Sequence, residues 1–248
     1  MKNRFHAFLT HLLLSGLVAV IAVIIVFFVW YPAPLHTAVG VTHIFLILLS
    51  VDIVIGPILT LIVYKKGKSS LKFDLSVIVA FQIAALSYGM YTVFEGRPAF
   101  LVFSIDRFDV SRAYEIDPDS AKTAQLSGNQ SAISGWFRPR WVGAVRSTDH
   151  KRQQEIMFSS LAGGADWHQL PELFVPLEQV KDQILKTAKP LQELRLLHSQ
   201  GHSIDTLLDW NAANVKWQPL RSNAKNMVVL IDANSAKVIR IVDINPWP

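Results

Sequence analysis

The sequence predicts a membrane protein built from three N-terminal transmembrane α-helices and a following α+β domain. Of the 248 residues, 51% are hydrophobic, and they are concentrated in the first 94 positions. That part contains three apolar runs close to or longer than the roughly 20 residues that cross a hydrocarbon core. Beyond Arg97 the pattern changes to the short strands and helices of a soluble domain. We therefore expect a transmembrane domain at residues 1–94 and an α+β domain at residues 95–248.

The predicted spans cover about residues 7–30, 41–64 and 75–94. Four lysines lie in the loop between the second and third runs, whereas the connection at residues 31–40 has no Lys or Arg. Short loops rich in Lys and Arg stay in the cytoplasm. Lys2 and Arg4 lie on the same side, so we expect a cytoplasmic N-terminus and an exported α+β domain. The first run is longer than the apolar part of a typical signal peptide, and we expect it to be retained.

The charge distribution argues against a nucleic-acid-binding surface. Residues 1–94 carry +4 of the net charge of +5, which leaves the α+β domain nearly neutral. The basic residues are therefore explained by membrane orientation, and we predict no nucleic-acid partner. The chain has no cysteine, so the exported domain must be stable without disulfides.

Secondary structure in the α+β domain is predicted from hydrophobic period and turn residues. Short apolar runs predict strands at residues 99–105, 108–113 and 141–146 and a C-terminal hairpin at 227–232 and 237–244. Helical spacing predicts helices at residues 149–161, 176–186 and 203–210, the first ended by Gly163-Gly164. Asp117-Pro118 predicts a turn, and residues 119–135, rich in Ser, Ala, Gly and Gln, predict a loop.

Motifs of catalysis are absent from the sequence, which has no H-E-x-x-H, G-x-S-x-G, glycine-rich phosphate loop or cysteine nucleophile. His198 and His202 have the spacing of two metal ligands, but Gly201 argues against a continuous helix and no third ligand is evident. Carboxylates that could form acid–base pairs lie beside proline or near helix starts, where turn and cap roles are usual: Asp117, Asp119, Asp205 and Asp209. We predict no catalytic residue, no metal site and no cofactor.

Asp52 lies near the middle of the second predicted span, in the run VDIVIGPILTLIVY. An aspartate at this depth costs about 2.5–3.5 kcal/mol on insertion. The surrounding Val, Ile and Leu residues offset this cost, so the segment can still insert. The carboxyl group should nevertheless face protein or a wet cavity rather than lipid. A second carboxylate, Asp74, directly precedes the third predicted span and is predicted to be its N-cap.

A polar seam between the second and third spans is predicted around this aspartate. Pro57 cannot donate to the carbonyl of Ile53, and Gly56 allows a neighbouring helix to approach closely. Counting depth at about 1.5 Å per residue puts Gln82 level with Gly56-Pro57, and Ser87 and Tyr88 level with Asp52. The candidate intramembrane contacts are therefore Asp52, Gly56, Pro57, Gln82, Ser87 and Tyr88. Three roles stay open: a protonated group that holds the helices together, a contact for a partner's membrane helix, or a proton or ion path.

Several segments together resemble the type IV pilin accessory proteins of the TfpX/TfpZ group. They are VDIVIGPILTLIVYKKGKSSLKFDL, the pattern Q-x-x-A-L-x-Y-G at residues 82–89, RPAFLVFSIDRF, GGADWHQLP at residues 163–171, and the terminal Pro-Trp. The resemblance is densest over residues 30–108 and loosest over residues 114–160.

This resemblance implies a protein of the bacterial inner membrane whose α+β domain is periplasmic. It also implies that the protein accompanies a particular type IV major pilin, alone or with other pilus assembly components, and affects its assembly into pili. The resemblance implies no catalysis and supplies no active site.

Two other classes of function are less consistent with the sequence. A small ion-coupled transporter component could use Asp52, but three helices with one carboxylate near the midplane make a poor pathway, and a transporter would not need so large an exported domain. A membrane-anchored periplasmic enzyme lacks the expected motifs.

Overall fold

A computed structural model describes residues 2–197 and 214–247 of the chain. The chain forms two compact units. The first comprises Met1–His36 and Gly40–Gly96, and the second comprises Thr37–Val39 and Arg97–Pro248. The predicted helix at residues 203–210, together with His198, His202, Asp205, Asp209 and the last proline, lies outside the described residues.

The first unit consists of long apolar helices. Helix α1 (Lys2–Ile24) continues into a π-helical stretch (Ile25–Trp30), and a short helix α2 (Leu35–Ala38) follows; the remaining two are α3 (Val41–Val63) and α4 (Leu71–Glu95). The segments Lys2–Trp30, Val41–Val63 and Leu71–Glu95 are each long and apolar enough to cross a bilayer. Three apolar helices followed by a mixed domain confirm the predicted fold class.

The start of α4 differs from the prediction. The helix begins at Leu71 after Ser70, so Asp74 lies inside the first turn and is not the N-cap. Its carboxylate instead lies 2.6 Å from the ammonium of Lys68 and accepts a hydrogen bond from the hydroxyl of Ser70. The apolar run alone could not show this, because the helix begins four residues before the run, and residues 71–74 add about one turn.

The second unit is built around one mixed sheet of eight strands among the described residues. They are β1 (Pro98–Ser104), β2 (Arg107–Arg112), β3 (Arg140–Ala144), β4 (Phe174–Pro176), β5 (Lys189–Pro190), β6 (Val215–Arg221), β7 (Met227–Asp232) and β8 (Val238–Val242). The order is β4-β3-β1-β2-β6-β7-β8, with β5 paired to β6. β1 pairs in parallel with β3, and β2 pairs in parallel with β6. The other neighbours are antiparallel.

Four helices connect these strands in the described part of the unit: α5 (Pro118–Leu126), α6 (His150–Leu161), α7 (Lys181–Thr187) and α8 (Leu191–Leu197). Short 3-10 turns cover Ala113–Glu115, Gln130–Ala132, Trp167–Gln169, Pro171–Leu173 and Leu177–Val180. The predicted strands at residues 99–105, 108–113 and 141–146, the C-terminal hairpin and the helices beginning near residues 149 and 176 are confirmed within a few residues.

The predicted loop at residues 119–135 is wrong in its first half. Asp117 caps α5 by accepting a hydrogen bond from the backbone N–H of Ser120, and Pro118 occupies the first helical turn. The buried side chains of Ser120 and Ala124 are small, so the helix has no apolar stripe that could reveal it. Ser120 also accepts a hydrogen bond from the N–H of Glu172.

Two hydrophobic clusters are seen among the described residues of the second unit. One packs Phe100, Val102 and Val142 of the sheet against Ile156 of α6 and Phe174. The other surrounds the fully buried Trp217 and includes the side chains Leu191, Leu194, Val215, Val228, Leu230, Val242 and Ile244. Strand β6 is an interior strand of the sheet, because it pairs with β2, β5 and β7, and the sequence did not predict it.

Candidate functional site

The buried face of α3 forms the floor of the candidate site. Buried residues recur at helical spacing along this face: Val41, Phe45, Leu49, Gly56, Pro57 and Thr60. The opposite side exposes large apolar side chains such as Ile44 and Ile62, which is the pattern of a lipid-facing surface. Asp52 lies beside the buried face and is half-buried rather than lipid-exposed.

Gln82 of α4 lies directly over Gly56 and contacts the backbone next to Asp52. Its amide Nε2 donates a 3.0 Å hydrogen bond to the backbone carbonyl of Asp52. A Cβ added to Gly56 would lie 2.0 Å from the same nitrogen, so only glycine leaves room for this side chain. In the structure, Gln82 thus contacts both Gly56 and the backbone of Asp52. Its acceptor is the Asp52 carbonyl rather than the neighbouring Ile53 carbonyl that Pro57 frees.

Ser87 and Tyr88 do not belong to this seam. Both side chains are exposed on the surface of α4, Tyr88 by 74%. Counting residues gives the depth of a side chain in the membrane but not the side of the helix on which it lies. At about 100° per residue, Ser87 and Tyr88 are rotated about the axis of α4 by roughly 140° and 120° from Gln82. Their role as contacts for a partner helix stays a prediction.

A second polar contact joins α1 to α3 and was not predicted. The ring Nδ1 of His11 lies 2.6 Å from the hydroxyl of Thr60. Both residues lie near the helix ends that the predicted topology puts at the cytoplasmic side. Polar residues at matching depths in antiparallel helices are the signal that could have revealed this pair.

The three helices line a mostly apolar, half-open cavity of about 220 Å³ next to these contacts. Its lining residues come from all three spans: His11, Leu14, Ser15, Val18, Ala19, Leu49, Asp52, Val79, Gln82, Ile83 and Leu86. Two buried oxygens, Oδ2 of Asp52 and Oε1 of Gln82, have no hydrogen-bond partner among the described residues. We name this cavity with its two acceptors the intramembrane groove.

Such an arrangement can accept hydrogen bonds from donors. A buried acceptor without a donor is costly in hydrocarbon, where water cannot replace it. Two of the nearby polar groups already have partners, since the Gln82 amide bonds to the Asp52 carbonyl and the His11 ring contacts Thr60. The groove can therefore accept a donor from outside the three helices or a proton on Asp52.

The α+β domain contains one cluster of charged side chains around the segment GGADWHQLP. Asp109 is buried and accepts hydrogen bonds from the hydroxyl of Ser104 and from Nε of Arg221. Arg221 also lies 3.5 Å from Oδ2 of Asp166. Burial lowers the pKa of His168, partly opposed by the carboxylates of Asp109 and Asp166.

Local backbone geometry and hydrogen bonds position this segment. Gly163 and Gly164 follow the end of α6, as predicted, and Gly163 has a positive φ of 84°. The segment then docks on the sheet, because Ser111 donates to the His168 carbonyl and Asp117 donates its N–H to the Gln169 carbonyl. No group of three metal-ligating side chains occurs among the described residues.

The fold and the groove define a membrane protein with three apolar spans and one mixed α/β domain. The family described as "Fimbrial assembly protein FimB" matches residues 1–40. Two proteins of Dichelobacter nodosus are similar over nearly the whole chain. "Fimbrial assembly protein, serogroup I" is 31% identical over 90% of this chain and 89% of its own length. "Fimbrial assembly protein, serogroup E1" is 30% identical over the same shares.

A third protein of the same organism, "Fimbrial assembly protein, serogroups C1 and C2", is 37% identical over 39% of this chain and 75% of its own length. No solved structure is significantly similar. The chain belongs to the fimbrial assembly protein family, which confirms the resemblance found in the sequence. Membership of this family implies a role in the assembly of pili.

Proposed function

We propose that this protein is an accessory protein of the bacterial inner membrane that binds its cognate type IV major pilin and promotes or modulates assembly of that pilin into pili. In this proposal the N-terminus is cytoplasmic, residues 95–248 form the periplasmic domain, and the protein performs no catalysis. The family and the distribution of Lys and Arg around the spans support this assignment.

The observation that carries the proposal is the intramembrane groove. A pilin has one long apolar helix below a periplasmic head, so its helix can reach a cavity between membrane spans. The groove is apolar over most of its lining, which suits such a helix, and it offers two acceptors without donors. A donor on the bound helix would satisfy an acceptor that lipid cannot. Asp52, Gly56, Pro57 and Gln82 are the proposed site, with Ser87 and Tyr88 as outer contacts.

In-cell crosslinking tests this proposal. Photoreactive residues replace Ile83 and Leu86, which line the groove, and the matched control replaces Ile62, an exposed residue of α3 outside it. We expect the groove positions, and positions in the periplasmic domain, to capture the cognate major pilin more strongly than Ile62. Deleting the gene should lower surface piliation without lowering pilin synthesis. Normal piliation together with no pilin crosslink from either region would refute the function.

Orientation is tested by reporter fusions. A reporter active only in the periplasm should be active after Pro248 and silent in the loop from Lys65 to Lys72. Reversed signals would refute the assignment of the inner-membrane orientation.

A proton path is a second candidate, because two ionisable side chains, His11 and Asp52, line the same cavity. The pair of variants Asp52→Asn and Asp52→Leu separates the two functions. Asn keeps a polar group of the same shape without a titrating carboxyl, so a binding role tolerates Asn better than Leu. Equal loss of piliation in both variants, at normal protein levels, would favour the proton path.

A further inference from the structure

Helix α6 of the α+β domain turns a mostly polar stripe towards the sheet and exposes its large apolar side chains. Ile156 is the one buried residue of this helix, all of which the structure describes. The side chains at helical spacing from Ile156, such as Gln153 and Ser160, are polar. Three large apolar side chains are exposed instead, by 51%, 63% and 80%: Met157, Phe158 and Leu161. A helix that only covered a core would have the opposite arrangement.

The exposed side of α6 borders a groove of about 380 Å³ in the α+β domain. Its apolar lining comes from Met157 and Leu161 of α6 together with Trp167 and Leu173. Arg146 is the one charged residue among the described residues that line it. The guanidinium of Arg146 lies 6.0 Å from the centre of the Trp167 ring. We name this groove the α6 groove.

The segment GGADWHQLP holds Trp167 in place beside α6. The N–H of Gly164 donates a 2.8 Å hydrogen bond to the carbonyl of Ser159, and a Cβ on Gly164 would lie 2.2 Å from the hydroxyl oxygen of Ser159. Asp166 accepts a 2.8 Å hydrogen bond from the N–H of Trp167. The Trp167 ring also packs against one of the two hydrophobic clusters. The α6 groove is therefore preformed, which lowers the entropic cost of binding a partner.

Arg146 gives the α6 groove a positive charge that has no carboxylate partner among the described residues. Glu155 and Glu172 line a neighbouring cavity together with Arg146, but both pair with Arg152, at 3.4 Å and 2.8 Å. A third carboxylate of that cavity, Asp149, is the N-cap of α6. The exposed guanidinium of Arg146 can therefore bind a carboxylate that comes from another molecule.

We propose that the α6 groove binds a segment of the periplasmic head of the major pilin in which an Asp or Glu is flanked by apolar side chains. This inference rests on the function proposed above and assigns a pilin contact within residues 95–248. Arg146 pairs with the carboxylate, because a guanidinium can bind both of its oxygens through parallel hydrogen bonds. The apolar side chains of the segment cover Met157 and Leu161, which are otherwise exposed to water.

A protein segment fits this surface better than a small carboxylate or a second copy of the chain. Phe158 does not line the groove but lies next to Met157 in the same helix, so the exposed apolar surface continues beyond the groove. In a symmetric dimer formed through this face, the same surface must supply both the cation and its carboxylate. The described residues that line the α6 groove include no Asp or Glu.

In-cell crosslinking of the full chain tests the proposal. A photoreactive residue replaces Met157 or Leu161 in cells that produce the cognate pilin. The matched control position is Leu126, which is exposed by 81%, as against 80% for Leu161, and does not line the groove. We expect Met157 and Leu161 to capture the pilin several-fold more strongly than Leu126. Mass spectrometry of the crosslinked peptide should find an Asp or Glu close to the captured residue.

Charge reversal tests how the segment is recognised. With the crosslinker at Leu161, Arg146→Glu should lower pilin capture by at least about tenfold, the factor that corresponds to loss of one charged hydrogen bond. Arg146→Gln removes the charge without adding a carboxylate and should also lower capture. Lys151→Glu is the control, because Lys151 is exposed but does not line the groove, and capture should be unchanged. Replacing the captured acidic residue of the pilin with Lys should restore capture by Arg146→Glu. Unchanged thermal unfolding establishes that each variant is folded.

The outcomes separate this inference from the proposed function. If Ile83 and Leu86 of the intramembrane groove capture the pilin, but Met157 and Leu161 capture no more than Leu126 does, the inference is overturned and the proposed function stands. Capture of a second copy of this chain in place of the pilin would also overturn the inference, as would capture that neither Arg146 variant lowers. No pilin capture from either groove, together with normal piliation after gene deletion, would refute both.

Discussion

Replacing Gly56 with alanine should weaken the packing of α4 on α3. The new methyl group would lie 2.0 Å from Nε2 and 2.3 Å from Cδ of Gln82. The amide must therefore move by more than about 1 Å to regain ordinary contact distance, and its 3.0 Å hydrogen bond to the Asp52 carbonyl does not survive that movement.

The magnitude follows from the interaction that is lost. A hydrogen bond between membrane helices contributes about 0.6 kcal/mol on average and up to about 1.7 kcal/mol. Loss of close contact between the two helices adds to this, so we expect Gly56→Ala to destabilise the helical unit by about 1–2 kcal/mol. Gly16→Ala is the matched control, because a Cβ there meets nothing within 4 Å. It reports only the higher helix propensity of alanine, at most about 1 kcal/mol in the stabilising direction.

Unfolding in mixed micelles during SDS titration provides the assay. Energy transfer between dyes on cysteines introduced at Ile44 and Tyr91, both exposed, reports separation of α3 from α4. The decisive comparison is the double variant Gly56→Ala with Gln82→Ala. Removing the Gln82 amide also removes the clash, so the double variant should be about as stable as Gln82→Ala alone.

Additivity would refute this reasoning. If the effects of Gly56→Ala and Gln82→Ala simply sum, the two residues are not in contact. A destabilisation by Gly16→Ala equal to that by Gly56→Ala would likewise show that the effect is not specific to the close approach of Gln82.

Three further predictions concern the α+β domain. Burial lowers the pKa of His168 in the folded state, so the unfolded state is protonated first as the pH falls. The stability of the domain should therefore decrease below about pH 6.5. In a pH series of thermal unfolding, His168→Gln should remove this dependence of stability on pH. Ile105 has a φ of 60° in a two-residue hairpin turn, so Ile105→Gly should stabilise the domain by about 0.5–1 kcal/mol in denaturant unfolding, and destabilisation would contradict the strain argument. Arg221→Ala removes the cation closest to the buried Asp109 carboxylate and should lower the free energy of unfolding by about 2–3 kcal/mol in the same assay. An unchanged denaturation midpoint would show that this ion pair does not stabilise the domain.

Periodic apolar segments could be predicted from the sequence, and segments stabilised by single local contacts could not. The buried strand at Pro98–Ser104 and the terminal hairpin are runs of large apolar residues, so their pattern alone predicts them. Helix α5 depends on its Asp117 cap and on Pro118 at its first turn. Asp-Pro is present in the sequence, but the same two residues are also typical of a turn.

Strand β6 was missed because Pro219 interrupts it. Proline is normally excluded from interior strands because it cannot donate to the ladder. Here β5 pairs with Lys216 and Trp217, and β2 pairs with Leu220 and Arg221 along the same edge. Pro219 falls between these two paired stretches, so the missing N–H is not needed on that edge. Only the tertiary arrangement of two other strands makes this position suitable for proline.

In the membrane unit, the depth of a residue along its helix was predictable from the sequence, but the side of the helix that faces a neighbour was not. Counting residues put Gln82 level with Gly56, and the two are in contact. The same counting gave Ser87 and Tyr88 the height of Asp52, although they face away. The rotation of a helix about its own axis depends on its packing partners. Because every face of α4 is apolar enough to contact lipid, the sequence does not determine which face is buried.

The positions of the hydrogen-bond donors around the intramembrane groove suggest a reason for the carboxyl group of Asp52. If Asp52 served only to hold the three helices together, the helices would supply a donor for each of its side-chain oxygens. Instead Gln82 donates to the backbone carbonyl, His11 contacts Thr60, and Oδ2 of Asp52 has no hydrogen-bond partner among the described residues. An acceptor left open beside an apolar cavity is costly for the isolated protein. A proton on Asp52 would remove part of this cost. Under the function proposed above, the missing donor instead comes with a bound helix, and the same oxygen then adds to the affinity and selectivity of binding.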